Sequence, residues 1–339
     1  MNRVRVLSQH GEPDVVGRDD GPAERVPVDV THLEILVDAT TPSSFDSHAA
    51  PSLGQFCQKN WSCTLSAEVS TQSSRTRRDP AATPRPPLKW AGGKRWQVPH
   101  LRPLWKPHSR KRLVEPFCGG LAVVLGLDPR RALLNDTNPH LIHFYRWLKR
   151  GLQIDLPMRN HRATFYRYRS RFNELLDEGR ESSAEAAALF YYLNRTGYNG
   201  LCRFNQHGRF NVPFGRHARI NYVRDFAAYR TALSGWRFMS GDVEEVPVTP
   251  RDFIYADPPY DVEFTQYSKG GFGWSHQVRT ATWLAKHPGP VVLTNQATDR
   301  IVRLYTGLGF DLVYLLAPRM ISRTGERRPA REVLATRNL

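Results

Sequence analysis

The feature that most constrains this sequence is a short apolar run that ends abruptly at two prolines. Residues 252–256 lead directly into the tetrapeptide Asp257-Pro258-Pro259-Tyr260. A run of this kind predicts a buried strand, and the prolines force a rigid turn at its end. Because ligands of open α/β sheets bind at the carboxyl ends of the strands, the turn would lie at a ligand-binding edge.

The groups of this turn suit the recognition of a flat base that carries an exocyclic amine. The Asp257 carboxylate and the Pro258 carbonyl can accept the two N–H bonds of such an amine, and the Tyr260 ring can stack on the base. The tetrapeptide alone leaves the matter open, because a Pro-Pro pair also terminates ordinary strands.

The net charge indicates the class of partner. The chain of 339 residues has a formal net charge of +16, and residues 1–85 hold nine basic and eleven acidic residues. The whole basic excess therefore lies beyond residue 85. A strongly basic region predicts a polyanionic partner, either nucleic acid or anionic lipid.

Cysteine use and hydropathy narrow the class of protein further. The four cysteines are scattered without a CxxC pair, and no His/Cys cluster has zinc-ligand spacing. No apolar run approaches the ~18 residues of a membrane span, and the first residues lack a secretory pattern. We expect a cytoplasmic protein with no metal and no membrane span.

The first 86 residues differ in character from the rest. They are rich in Ser, Thr, Pro and Asp, and we expect an N-terminal extension, residues 1–86, that is largely disordered. Residues 70–87 have the composition of a linker. An alternative is that the apolar segment 33–37 adds one strand elsewhere. The sequence assigns this extension no function.

Two segments beyond the linker predict a site for a nucleotide-type cofactor. Residues 112–125 have the pattern of a strand, a glycine turn and a buried helix, and backbone at such a turn can approach a ligand closely. The next strand, residues 132–135, is followed by Asp136, at a position where an acidic side chain commonly binds ribose hydroxyls. Lys94 follows two glycines. We expect it either to contact the bound ligand or to belong to a simple exposed turn.

A turn-rich segment in the middle of the chain predicts DNA contact. Helical periodicity covers residues 165–176 and 184–194, and residues 200–205 and 209–213 predict a hairpin. Arginine, asparagine and aromatic residues alternate there, which suits hydrogen bonds to base edges and stacking. A solvated loop with a few packed aromatics is the alternative.

The remaining segments complete an α/β pattern. Residues 290–295, 310–316 and 332–336 predict strands, and residues 300–308 predict a helix. Alternating strands and helices indicate a mostly parallel sheet. The late strand–loop–strand pair predicts an antiparallel edge.

Six of these segments together resemble the Dam-like (D12 class) family of adenine-specific DNA methyltransferases, over roughly residues 87–336. Each motif is weak alone, but their common order is specific. The matching segments are Lys89-Trp90-Ala91-Gly92-Gly93-Lys94, Glu115-Pro116-Phe117-Cys118-Gly119-Gly120, Asn135-Asp136-Thr137-Asn138, Tyr192-Leu193-Asn194-Arg195 through Phe214-Gly215-Arg216, Asp257-Pro258-Pro259-Tyr260, and residues 321–328.

The resemblance implies a fold and a division into domains. The fold is a Rossmann-like S-adenosylmethionine-dependent methyltransferase sheet, mostly parallel with one antiparallel edge strand. An inserted, mainly helical DNA-recognition domain carries a β-hairpin. Residues 87–140 and 240–339 would form the catalytic domain, and residues 141–239 the recognition domain.

The resemblance also implies roles for individual residues. Cofactor-binding roles fall on Trp90, Lys94, Phe117, Gly119, Asp136 and Asp257. Catalytic roles fall on Asp257, Pro258, Pro259 and Tyr260. DNA-binding roles fall on Lys89, Arg195, Tyr198, Asn199, Leu201, Arg203 and Pro213.

The implied reaction methylates adenine in double-stranded DNA, with GATC as the implied target and base flipping as the means of access. We expect a monomer with S-adenosylmethionine as cofactor. Leu121, where the family often has a third small residue, could crowd the cofactor turn. Other amines (cytosine in DNA, an RNA base or glutamine) and a DNA-binding module without catalysis stay open as alternatives.

Overall fold

A computed structural model describes residues 84–261, 272–317 and 330–339. Several predicted features therefore lie outside the described residues. These are nearly all of the N-terminal extension with its segment 33–37, and the segment 321–328 that ends the family resemblance. The described residues belong to one compact unit.

The centre of the structure is one sheet with the strand order β3-β2-β1-β4-β5-β7-β6. Strands β1 to β5 are parallel, and β7 runs antiparallel to both of its neighbours, β5 and β6. This confirms the mostly parallel sheet, and the reversed strand lies one place in from the edge. The strands are β1 (Leu113–Glu115), β2 (Ala132–Asp136), β3 (Trp236–Ser240), β4 (Phe253–Ala256), β5 (Val291–Gln296), β6 (Asp311–Ala317) and β7 (Ala330–Arg337).

The register of the parallel strands places the polar ends of three strands side by side. Leu113 of β1 pairs with Ala132 of β2 and with Phe253 of β4. The carboxyl ends of these strands therefore meet at one edge of the sheet, where parallel α/β sheets bind ligands. The strands themselves are almost entirely buried, because helices cover both faces of a sheet of this kind.

Local sequence explains where the helices begin and end. Helix α3 begins after Asn138, whose side chain accepts hydrogen bonds from the first backbone N–H groups, and it ends at Gly151 with a φ of 89°. Within the described residues, no helix is both long and apolar enough to cross a bilayer. The helices are α1 (Val98–Trp105), α2 (Ala122–Leu127), α3 (Pro139–Arg150), α4 (Arg162–Asp177), α5 (Ala184–Thr196), α6 (Ala227–Ala232), α7 (Trp274–Ala285) and α8 (Asp299–Gly307).

Helices α4, α5 and α6 lie between α3 and β3 in sequence and carry the turn-rich segment. Helix α5 is buried on almost every side, with its aromatic residues packed against α3 and α4. The predicted hairpin forms through one bridge, Phe204 to Phe210, and not through two regular strands. Helix α3 contacts both α5 and the sheet, and the domain boundaries stay a prediction.

One buried side chain ties this insertion to the segment before α1. Asn194, at the end of α5, is 2% exposed. Its Oδ1 accepts from the Lys89 N–H at 2.8 Å, and its Nδ2 donates to the Lys89 carbonyl at 2.8 Å and to the Gly200 carbonyl at 3.3 Å. The side chain therefore fixes the backbone on which Lys89 is carried.

We predict that Asn194→Ala lowers the free energy of unfolding by roughly 2–3 kcal/mol, because several buried backbone groups lose their partners. Urea denaturation measures the change. Asn205→Ala is the matched control, since Asn205 accepts from the backbone N–H groups of His207 and Arg209 in an exposed loop where water replaces it. Equal losses in the two variants would contradict the prediction.

Candidate active site

The turn that follows β4 carries an ion pair with a lysine from the segment before α1. Lys94 Nζ lies 3.1 Å from Asp257 Oδ2 and 4.4 Å from the centre of the Tyr260 ring. The same nitrogen donates to the Gly92 carbonyl at 2.9 Å. Lys94 is only 6% exposed, so its ammonium group makes these contacts in a largely dry environment. A carboxylate and a ring face are also the contacts that the amine of a bound base needs.

Two acceptors at this turn have no donor in the described part of the chain. Asp257 Oδ1 is buried and unpartnered, and no described group donates to the Pro258 carbonyl. The next carbonyl, that of Pro259, accepts from Gln277 Nε2 at 2.7 Å. The turn therefore presents one free carboxylate oxygen and one free carbonyl, which matches the two N–H bonds of an exocyclic amine.

Burial raises the pKa of both carboxyl groups at this edge of the sheet, Asp257 and Glu115. Burial raises the pKa of Asp257 to about 6, against the opposing effect of the Lys94 charge. Burial, together with the nearby Asp257 charge, holds the pKa of Glu115 well above its usual range. At neutral pH Asp257 is therefore mainly ionised, while burial shifts the Glu115 equilibrium toward its uncharged form.

Buried amide side chains hold the turn in place. Asn295, at the end of β5, accepts from the Asp261 N–H at 3.1 Å and donates to Gln277 Oε1 at 3.0 Å. Gln277 in turn donates to the Pro259 carbonyl. The Asp261 carboxylate forms an ion pair with Arg300. Sequence reasoning missed Gln277, Asn295 and Asp261. The one signal in the sequence was Asn295 itself, a polar residue at the end of the apolar strand β5.

The glycine turn after β1 and the end of β2 form the second part of the site. Asp136 Oδ2 accepts from the Gly119 N–H at 3.1 Å, and burial raises the pKa of this carboxyl group. The Trp90 side chain packs against the turn so closely that a Cβ on Gly119 would lie 2.9 Å from Trp90 Nε1, and one on Gly120 2.8 Å from Trp90 Cβ. Only glycine fits at these two positions without displacing the indole.

Leu121 and Phe117 flank this turn. Leu121 is fully buried in the core with a φ of 62°, a left-handed conformation that is costly for leucine. Its side chain therefore packs in the interior, which differs from the expected crowding of the turn. Phe117 lies partly exposed beside the turn, with its ring edge-on to Phe272 at 5.8 Å between centroids. Among the residues described, no group of three or more His, Cys, Asp or Glu could hold a metal ion.

The predicted DNA-contacting residues lie on the α5 end and on the hairpin. Tyr198 is 51% and Leu201 38% exposed, Asn199 has a φ of 50°, and Pro213 is exposed. Arg203 is exposed, and its Nε donates to Asn211 Oδ1 at 2.8 Å across the hairpin. The guanidinium group is therefore held at a fixed position on the surface.

Lys89 lies behind these exposed residues. Its Nζ donates to the Arg195 carbonyl at 3.2 Å and lies 3.4 Å from His217 Nε2. Burial and the neighbouring Arg195 lower the pKa of Lys89, and burial lowers that of Arg195. His217 also lines a cavity of about 300 Å³ that Tyr198 and Asn199 border. Sequence reasoning missed His217.

Comparison with known proteins identifies the family. The model of D12 class N6 adenine-specific DNA methyltransferases matches residues 90–320. Retron Ec67 DNA adenine methylase of Escherichia coli is 32% identical over 268 residues, covering 73% of this chain and 90% of that protein. DNA adenine methylase of Vibrio cholerae serotype O1 is 35% identical over 261 residues, covering 71% and 91%. Type II methyltransferase M1.LlaDCHI of Lactococcus lactis is 35% identical over 212 residues, covering 58% and 74%.

The chain therefore belongs to the D12 class of N6 adenine-specific DNA methyltransferases. It is an adenine-specific DNA methyltransferase, and the family resemblance seen in the motifs is confirmed. The roles of the individual site residues stay predictions. What the structure adds is that it brings Lys94, Asp257 and Tyr260 into contact, and Trp90 against the turn that Gly119 shares with Asp136.

We predict that the Asp257 carboxyl group titrates near pH 6 and that Lys94→Met raises its pKa further, because the ammonium group favours the ionised form. Carboxyl chemical shifts of isotope-labelled aspartate, assigned with Asp257→Asn, report the titration. Asp252, whose pKa Arg112 lowers against the effect of burial, serves as internal control and should not respond. An Asp257 that titrates at the usual value for aspartate would contradict the prediction.

Proposed function

We propose that this enzyme transfers a methyl group from S-adenosylmethionine to the exocyclic amine of adenine within GATC in duplex DNA. The observation that carries the proposal is the pair of free acceptors, Asp257 Oδ1 and the Pro258 carbonyl, beside the Lys94 ammonium and the Tyr260 ring. Restriction analysis of plasmid from expressing cells, with enzymes that differ in sensitivity to methylated GATC, tests it.

The residues at the glycine turn fit S-adenosylmethionine. The turn has no side chains at Gly119 and Gly120, Trp90 forms a flat wall against it, and both Asp136 oxygens are held by backbone N–H groups in an orientation that leaves lone pairs for ribose hydroxyls. When bound, S-adenosylmethionine supplies an electrophilic methyl carbon on a positively charged sulfur. Lys94, Phe117 and Asp257 would complete its site.

The amine of adenine is a weak nucleophile, because its lone pair is delocalised into the ring. In our proposal Tyr260 stacks on the base, and Asp257 Oδ1 and the Pro258 carbonyl accept the two amine hydrogens. These bonds draw the nitrogen toward tetrahedral geometry and localise the lone pair. The ionised carboxylate also stabilises the positive charge that develops on the nitrogen, and its Oδ1 can accept the proton that the methylated nitrogen then loses. Lys94 leaves the ring face as the base enters, and Pro259, held by Gln277, keeps the turn rigid.

The target adenine is unreachable inside a duplex, so the proposal includes base flipping. Unstacking costs a few kcal/mol, which contacts to the remaining DNA must offset. Tyr198 is an exposed aromatic ring at the end of α5, beside Asn199, and it has the shape of a wedge that fills the vacated space. The basic surface supplies phosphate contacts.

Sequence reading is assigned to the hairpin and to Lys89. Arg203, held by Asn211, is oriented to donate to a base edge, and Leu201 and Pro213 offer exposed apolar contacts. Lys89 and Arg195 lie together behind the wedge. The correspondence of these positions with the Dam-like family is what favours GATC.

Other acceptors remain chemically compatible with the turn, since cytosine, RNA bases and glutamine also carry exocyclic amines. Membership of an adenine-specific DNA methyltransferase family argues against them. Nucleoside analysis of DNA after transfer of a labelled methyl group separates adenine from cytosine. A DNA-binding module without catalysis is disfavoured by the two free acceptors.

We predict that Asp257→Ala lowers the methylation rate by at least about a thousandfold, because one amine acceptor and the charge that stabilises the transition state are lost. Initial rates on duplex DNA measure the loss, and circular dichroism verifies folding. Asp252→Asn, which changes a buried carboxylate at the other end of β4, is the control and should keep its turnover. Comparable rates in Asp257→Ala and the parent protein would remove the catalytic assignment.

A second prediction concerns specificity. Arg203→Ala should relax the preference for GATC over sites with one altered base pair by roughly tenfold, because a bidentate base contact is worth about 1–3 kcal/mol. Rates on a set of altered duplexes measure the preference. Arg209→Ala is the matched control on the same hairpin, since Arg209 pairs with Asp177, and the order of substrates should stay unchanged. Identical behaviour of the two variants would show that the hairpin does not read sequence.

A further inference from the structure

Strand β7 carries a buried carboxylate that the proposed mechanism does not use. Glu332 lies on an interior strand, pairs in register with Gln296 of β5, and is 7% exposed. A carboxylate in such a position is unfavourable unless hydrogen bonds compensate for the lost water. The partners of Glu332 therefore indicate what it does.

One of these partners is the tyrosine of the catalytic turn. The Tyr260 hydroxyl donates to Glu332 Oε2 at 2.6 Å, within the range of a charge-assisted O–H···O⁻ bond. Burial and the nearby carboxylates raise the pKa of Tyr260, so its hydroxyl keeps the proton that it donates.

The carboxylate is itself held in place by Gln97. Gln97 Nε2 donates to the same oxygen at 2.9 Å and to Thr294 Oγ1 at 3.0 Å. Its Oε1 accepts from the Tyr255 hydroxyl at 2.9 Å. Gln97 is completely buried, so it joins β4, β5 and β7 beneath the turn. Glu332 Oε2 is therefore a fixed point of the sheet and not a flexible surface group.

Holding the Tyr260 hydroxyl oxygen fixes the axis of the ring, and because a phenol O–H bond prefers to lie in the ring plane, donation toward Glu332 also favours one orientation of that plane. The Tyr260 ring lies under the Lys94 ammonium at 4.4 Å, the face on which the base would stack. A phenol that donates to a carboxylate also has more electron density in its ring, which strengthens its attraction for a positive charge. The fixed orientation of the ring and its added electron density both act on the amine of the target base as that amine becomes positively charged.

We propose that Glu332 is a positioning residue for methyl transfer, acting through the Tyr260 hydroxyl to hold and polarise the ring on which the target adenine stacks. This inference rests on the proposed function. In this proposal Glu332 contacts neither the base nor the cofactor and acts through its hydrogen bond with Tyr260. Its removal should therefore slow the chemical step and leave DNA affinity unchanged.

The test is a double-mutant cycle on Glu332→Gln and Tyr260→Phe. Single-turnover methylation of a GATC duplex is measured at saturating S-adenosylmethionine and DNA, with DNA affinity determined separately. Each single variant should react about tenfold more slowly with DNA affinity within about twofold, since small misplacement of reacting groups has effects of this size. The double variant should be no slower than Tyr260→Phe. Tyr229→Phe, a phenol that donates to the Arg85 carbonyl, is the control and should keep the parent rate.

A double variant whose loss equals the product of the two single losses would overturn the inference, as would an unchanged rate in Glu332→Gln. Should Glu332→Gln fail to fold, Glu332→Asp carries the same test, because it keeps the charge but withdraws it from the hydroxyl. Its rate should then equal that of Tyr260→Phe. A parent protein that methylates no adenine would overturn the proposed function, and this inference with it, whereas an active parent with additive variants removes only the role of Glu332.

Discussion

The structure depends on keeping two hydrogen-bond acceptors free in a buried place. An unsatisfied buried acceptor costs about 1–3 kcal/mol, and a folding chain would normally fill it. At the Asp257 turn the prolines prevent this, because neither Pro258 nor Pro259 has an N–H group and the backbone cannot rearrange into a helix. The buried amides Asn295 and Gln277 then hold the neighbouring atoms, while Asp257 Oδ1 and the Pro258 carbonyl have no donor among the described residues.

Most of the sheet could be predicted because its strands are short apolar runs bounded by turn residues. Strand β4 with its Asp-Pro-Pro turn and strand β2 with its terminal Asp136 both lie where the apolar runs, and the turn residues that end them, predict a strand. Strand β3 (Trp236–Ser240) was not predicted, because it is very short and the exposed, charged Arg237 interrupts its apolar residues. Helix α1 was missed because it contains Pro103 in its interior, a residue that ordinarily ends a helix.

The candidate site was predictable only in part, and the reason is distance along the chain. Lys94, Asp136 and Asp257 follow local patterns, each at a glycine turn or at a strand end. The residues that support them have no such pattern. Gln97 and Glu332 are 235 positions apart in sequence, and their hydrogen bond exists only because β7 inserts beside β5. A buried glutamine beneath a turn looks like any other polar residue until the sheet order is known.

The charge around the Asp257 turn is opposite in sign to that of the whole chain. The protein carries a net charge of +16, yet three carboxyl groups, Glu115, Asp257 and Glu332, lie near one another at this turn. Their surroundings differ: burial raises the pKa of Glu115, Lys94 forms an ion pair with Asp257, and Tyr260 and Gln97 donate hydrogen bonds to Glu332. Basic residues attract a phosphate backbone, whereas carboxylates repel phosphate and accept hydrogen bonds from an amine. Under the proposed function, the basic surface holds the DNA backbone, and the carboxyl groups around the Asp257 turn stabilise the amino group of the target base.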